Sequence, residues 1–287
     1  MFFARRLGWL GIVSVMVLLT ARVVLAHDDV PITGRVHSTG APSDLRATNV
    51  FSSTIYFPLA GKEIPPGGCQ AIPGEMYSTV AIISAPTNPP AQSHPDLNLA
   101  MRGYITTTAT LGLVDIGGGS DAFAPQLYGL FQDNRTPVFS SASRVYDWNW
   151  TCNCRGALLT NWQVTLAGMA TTPGEIIRVP GSGYDIGRMP GGFEVMVLYA
   201  TPNRLTLKYT REDNVIQGYT IHLENICVEP SLLYLYNLMN SAGRVSLPAL
   251  FVGQGVGRAV GNEMGVAIRD NGMFMDPRSR KDWWIGR

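Results

Sequence analysis

Cysteine, histidine and carboxylate side chains are the groups through which this sequence could do chemistry. The four cysteines are Cys69, Cys152, Cys154 and Cys227, and the four histidines are His27, His37, His94 and His222. Cys152, Cys154, Cys227 and His222 form a thiolate and imidazole donor set that would suit zinc. The competing reading is disulfides, which an even cysteine count favours in an exported chain. A ring closed by Cys152-Asn153-Cys154 alone is small. The expected partners of these two are therefore Cys69 and Cys227, in either of the two connectivities that allows. Among the carboxylates, Glu194, Asp213, Glu224, Glu263 and Asp270 could supply a pair for glycoside hydrolysis. His222, Glu224 and Glu263 could instead hold a metal at a hydrolytic centre. There is no Gly-x-Ser-x-Gly nucleophile elbow. Gly117-Gly118-Gly119 lacks the Gly-Lys-Ser/Thr ending of a phosphate loop.

The chain that must position these groups has 287 residues, a formal net charge of +1 and only 15% charged residues. The length allows a sizeable core in one or two domains. Near-neutral charge, with no long Lys/Arg run, speaks against nucleic-acid partners. Arg5 and Arg6, the apolar stretch Leu7–Thr20 and Val24-Leu25-Ala26 read as a signal peptide cleaved after Ala26, which predicts a secreted, periplasmic or cell-surface protein. A retained anchor is the alternative, and would need Arg22 within the span. After cleavage no membrane span is expected.

Gly 31 and Pro 19, with many Thr and Val, predict a mainly β, turn-rich protein. Residues 27–50 read as a loose lead-in and 51–150 as a β-rich N-terminal region. That region has strands at Val50–Phe57 and Met76–Ile83, extended structure over 97–116 and a short helix over Ala124–Gln132. Trp148, Trp150 and Trp162 surround the cysteine pair, either as a stacking surface for sugars or as cover for a small core. Residues 151–287 form the second part. Phe193–Ala200, Arg204–Arg211 and Tyr219–Val228 predict a meander, with Pro248–Val260 and Glu263–Arg269 as the last strands. One helix is predicted over Ser231–Ala242, started by Pro230 and ended by Gly243, with Leu232, Leu235, Leu238 and Met239 on one face. The tail Asp276–Trp284 reads as a docking tail or as a strand cover.

Four segments of the second part carry a resemblance: Thr172–Tyr184, Gly218–Leu223, Val252–Gly261 and Gly265–Gly272. Their order resembles the lysostaphin-type cell-wall zinc endopeptidases. That resemblance implies the duplicated hybrid motif, a β-barrel-like sandwich, here with one inserted helix. In that family a His and an Asp four residues later hold zinc ahead of a Gly-rich turn, and those places fall on Val164 and Gly168. The later His-x-His falls on Glu263 and Gly265. Only the Tyr-x-His-Leu element survives, as Tyr219-Thr-Ile-His222-Leu223, and in the family that histidine assists catalysis.

The resemblance thus implies a catalytically degenerate domain, without a cofactor. It would bind peptidoglycan or regulate a partner hydrolase through a groove lined by Tyr184, Tyr209, Tyr219, His222 and Glu263. Two alternatives remain: an active cell-wall metallohydrolase with zinc at a shifted site, or a structural surface protein.

Overall fold

Alternating apolar residues dictate most of this architecture. The computed structural model describes residues 68–183, 189 and 191–287, all within one compact unit, Leu59–Arg287. The expected signal peptide, the lead-in, the Val50–Phe57 strand and Tyr184 lie outside the described residues. Among those described, the strands are β1 Ser78–Ala81, β2 Tyr104–Thr106, β3 Phe139–Asn149, β4 Cys154–Leu158, β5 Leu166–Ala170, β6 Ile176–Arg178 and β7 Val195–Thr201. They continue with β8 Arg204–Lys208, β9 Tyr219–Glu224, β10 Ile226–Val228, β11 Ser246–Leu250, β12 Gly255–Ala259, β13 Glu263–Asp270 and β14 Met273–Met275. The α-helices are α1 Leu99–Arg102, α2 Pro230–Ser241 and α3 Arg280–Trp283.

The protein is mainly β. Its large antiparallel sheet runs β1-β11-β7-β8-β9-β13-β5-β3-β2, with β14 beside β13 and β4 beside β3. A small sheet runs β10-β12-β6. The expected barrel is corrected here: the large sheet ends at β1 on one side and β2 on the other and is not closed. Strands from both sides of residue 150 share it.

The central strands are covered on both faces. In β9 every residue is buried. Its odd members, Tyr219, Ile221 and Leu223, join the main core with Leu205, Leu207, Val266 and Ile268. On the other face a smaller cluster forms from Leu99, Val145, Leu166, Ala267 and Phe274. In β9 the apolar members therefore alternate with buried polar ones, Thr220, His222 and Glu224.

Helix α2 packs on β7 and β11. Pro230 sits in its first turn, and the Glu229 side chain caps it by accepting from the Leu232 N–H. Its buried residues are Leu232 and Tyr236, whereas Leu238 is 48% exposed. The predicted face is thereby rotated, because Tyr236 turns inward to meet Tyr199 and Arg244. The strand expected over Tyr219–Val228 breaks at Asn225, whose φ of 60° sends β10 into the small sheet. The extended run expected over 97–116 opens instead with α1, capped by the Asn98 side chain and stopped at Gly103. The helix over Ala124–Gln132 shrinks to a 3-10 turn, Leu127–Leu130.

The tail is a cover. Trp283 and Trp284 are buried, and their indole N–H groups donate to the carbonyls of Asp276 and Pro277 at 2.9 and 2.8 Å. Trp284 meets Phe139 edge-on, and Trp283 meets Tyr219. Among the described residues no helix is long and apolar enough to cross a membrane.

The cysteines pair as Cys69–Cys227 and Cys152–Cys154, with Cα separations of 5.4 and 5.3 Å. This corrects the expectation that the two neighbours would each take a distant partner. Asn153 between them adopts a left-handed φ of 49°, which folds the tripeptide back on itself at the tip of the β3–β4 hairpin. Asn tolerates that conformation better than most residues.

Candidate functional site

Strand pairing draws five distant stretches of sequence into one row across the large sheet. Arg204 of β8 faces Glu224 of β9, Glu224 faces Gly265 of β13, Gly265 faces Gly168 of β5, and Gly168 faces Ser141 of β3. Directly opposed residues project from the same face. The two glycines at its centre carry no side chain of their own, and a groove of about 310 Å³ opens beside them. Its sides are formed by Tyr104, Ser141, Ser143, Arg204, Glu224 and Glu263.

Glycine is needed at Gly168 because of close approach. A Cβ there would run into the Ser141 hydroxyl and the Glu263 carboxylate, which both lean over the position. At Gly265 a Cβ would press on Glu224 and Leu166 at 3.2 Å.

The charged groups in the groove are Arg204, Glu224 and Glu263. The Arg204 Nε donates to Glu224 Oε2 at 2.9 Å, and Glu224 is buried. Burial raises the Glu224 pKa, and the Arg204 guanidinium works against that rise. Glu263 stands two residues before Gly265 and so on the same face. It accepts a hydrogen bond from the Ser140 hydroxyl. Its backbone carbonyl accepts from Asn225 Nδ2 at 2.8 Å, which ties the Asn225 turn to the groove rim. Since Arg204 offsets Glu224, one negative charge is left in the lining. Burial raises the Tyr104 pKa, so its hydroxyl stays a neutral donor.

Of the residues expected from sequence, Glu263 lines this groove. His222 projects from the same face but lies under cover, 1% exposed and stacked on Phe274 at 6.0 Å. The Thr206 hydroxyl gives its one proton to the Leu97 carbonyl at 2.7 Å. The 3.1 Å contact between Thr206 Oγ1 and His222 Nδ1 therefore has the ring nitrogen as donor. His222 Nε2 is then a buried acceptor with no partner among the described residues. Burial first, and the Arg269 charge second, hold its pKa down to about 3, so the ring is neutral. Next to it Lys208 Nζ and Thr220 Oγ1 are also buried without partners.

Tyr209 and Tyr219 belong to the main core on the opposite face. Tyr209 donates to the Pro180 carbonyl at 2.7 Å and Tyr219 to Asp121 Oδ2 at 2.8 Å. Tyr219 and His222 are three residues apart on one strand, and the alternation of side chains sends such a pair to opposite faces. The five residues therefore do not share one surface.

The zinc of the alternative, hydrolytic reading does not fit these residues. Val164 is fully buried in the main core. Gly168 and Gly265 have no donor, and Gly168 has no room for one. Among the described residues no three His, Cys, Asp or Glu side chains converge as metal ligands would. His222, Glu224 and Glu263 thus form no such set.

Tyr104, Ser141, Ser143 and Arg204 were not singled out by sequence. Alternation in β8 places Arg204 on a face, but only the strand order brings it beside β9 and β13. No protein-family model, no curated protein and no solved structure matches this chain.

Proposed function

We propose that this chain is an exported binding protein whose groove holds a peptide or glycan segment of a cell-wall polymer without cleaving it. The observation that carries the reading is the cross-strand pair Gly168 and Gly265, which lets the hydrogen-bonding groups of Ser141, Glu224 and Glu263 close in over the sheet at one place. Arg204, Tyr104, Ser141 and Ser143 offer donors, and Glu224 and Glu263 offer acceptors. This lining suits hydroxyl, amide and ammonium groups rather than an apolar ligand. The unbalanced Glu263 favours a ligand with an amino group, such as the diamino acid of a stem peptide.

The resemblance to lysostaphin-type enzymes adds to this. Three of the four positions aligned with their zinc ligands, Gly168, Glu263 and Gly265, line the groove. The place where those enzymes cut would be the place where this protein holds. Co-sedimentation of the purified protein with insoluble peptidoglycan tests the reading. Retention at moderate salt that drops in Glu263→Ala and Arg204→Ala variants is expected, and no retention of the wild type at that salt would overturn it.

A further inference from the structure

The two disulfides sit in opposite settings. Cys69–Cys227 joins residues 158 apart in sequence, and both of its cysteines are partly buried. Cys152–Cys154 joins residues two apart, and both of its cysteines are exposed at the β3–β4 tip. In the chain-entropy account a disulfide stabilises in proportion to the logarithm of the loop it closes. A loop this short constrains the unfolded chain very little, so stability does not explain the second bond.

The hairpin tip is also held without it. Trp148 pairs with Arg155 and Asn149 with Cys154 in the ladder. Asn149 Oδ1 accepts from the Thr151 and Cys152 N–H groups at 3.0 and 3.4 Å. The Trp148 indole N–H donates to Asn153 Oδ1 at 3.3 Å. None of these contacts uses a sulfur atom. The surroundings leave the pair open to a partner. Trp150 is 52% exposed beside the pair, edge-on to His94 at 5.5 Å, and offers a partner an apolar foothold.

We infer that Cys152–Cys154 is a thiol–disulfide exchange site for a dithiol on another protein, while Cys69–Cys227 is a structural clamp. In the exchange, a partner thiolate attacks one of the two sulfurs, forms a mixed disulfide and releases the other cysteine as a thiolate. The partner's second thiolate then attacks the mixed disulfide and releases the second cysteine. Two electrons pass to this protein, the partner leaves as a disulfide, and its two protons end on Cys152 and Cys154. Exposed disulfides are the ones open to this chemistry.

Two measurements test the inference. The oxidised full chain is treated with dithiothreitol, sampled over time by alkylation quench and mapped by peptide mass. Cys152 and Cys154 are expected to be alkylated together, on the order of tenfold or more ahead of Cys69 and Cys227 in rate, with the thermal transition unchanged. Opening of Cys69–Cys227 first, or opening of Cys152–Cys154 only where the protein unfolds, would overturn the inference. Separately, Cys154→Ser is treated with oxidised glutathione. A glutathione adduct on Cys152 of the folded variant is expected, and a folded variant that takes no adduct would count decisively against an exchange site.

Discussion

Arg244 clasps Asp213 with both arms of its guanidinium where neither side chain meets solvent. Nε donates to Oδ2 at 2.7 Å and Nη2 to Oδ1 at 2.6 Å. The same guanidinium reaches Asn240 Oδ1 and the Leu198 carbonyl, so it ties the end of α2 to β7. Asp213 also accepts from the Thr87 N–H. Replacing Arg244 by Met leaves a buried carboxylate without its counter-charge. Denaturant unfolding is expected to show a loss of about 3–5 kcal/mol, whereas Arg280→Met, at an exposed pair with Asp115, is expected to cost under about 1 kcal/mol.

Lys208 presents the reverse case. Its ammonium is fully buried and has no hydrogen-bond partner among the described residues. Burial lowers its pKa to about 8. A depressed folded pKa penalises the native state wherever the unfolded lysine is charged and the folded one resists charging. The penalty is full below about pH 8 and fades as pH rises to the unfolded value near 10.5. Lys208→Met is expected to stabilise the protein at pH 7 by roughly 1–3 kcal/mol, with the gain shrinking above pH 8. Unfolding curves at pH 7 and pH 10 check both parts.

His222 sets an acid limit. Its folded pKa lies near 3 against 6.5 for the free side chain. As pH falls below 6.5 the unfolded chain binds a proton that the folded chain refuses. Stability is therefore present above 6.5 and is lost progressively towards pH 3. His94, also lowered chiefly by burial, acts with the same sign. Asp96 enters only below its ordinary value. Burial pushes its carboxyl up, but Arg269 and Arg102 more than offset this and hold it at about 2. Between pH 6.5 and 4, His222→Phe is expected to flatten the pH slope of stability by up to about 1.4 kcal/mol per unit.

At Gly168 a methyl group must displace the Ser141 hydroxyl and the Glu263 carboxylate. Gly168→Ala is expected to lose about 1–3 kcal/mol of stability and to weaken polymer retention by about tenfold, the equivalent of ~1.4 kcal/mol of lost contact. Gly117→Ala, at a position facing open space, serves as the control and is expected to change neither melting nor retention.

The sequence made the strand-rich character and α2 legible because those signals are local. Pro230, the apolar spacing and Gly243 all act within a few residues of the helix they define. The rotation of its buried face was not legible, because it follows from Tyr236 meeting Arg244 and Tyr199. The Cys152–Cys154 pairing depends on the backbone of one residue, Asn153, which composition does not reveal. The resemblance pointed to Gly168, Glu263 and Gly265 as places of missing zinc ligands, and to Glu263 alone of the three as part of a groove. The rest of the groove was out of reach, since Tyr104, Ser141 and Arg204 meet only through the strand order β8-β9-β13-β5-β3-β2. Period-two alternation did carry information that the expected site ignored. Tyr219 and His222 differ by an odd number and could not serve one surface.

The two ends of the open sheet bear on how the protein behaves in a crowd. An open sheet offers unpaired N–H and C=O groups along its outermost strands, a template for joining one molecule to the next. Here the strand path ends at β1, with four residues, and β2, with three, while β4 and β14 lie off it beside β3 and β13. Gly103, at φ 69°, precedes β2, and the Pro86, Pro89 and Pro90 loop soon follows β1. Short margins of this kind give a neighbouring molecule little ladder to extend. At those two margins the broad sheet is therefore expected to resist edge-to-edge joining into fibres.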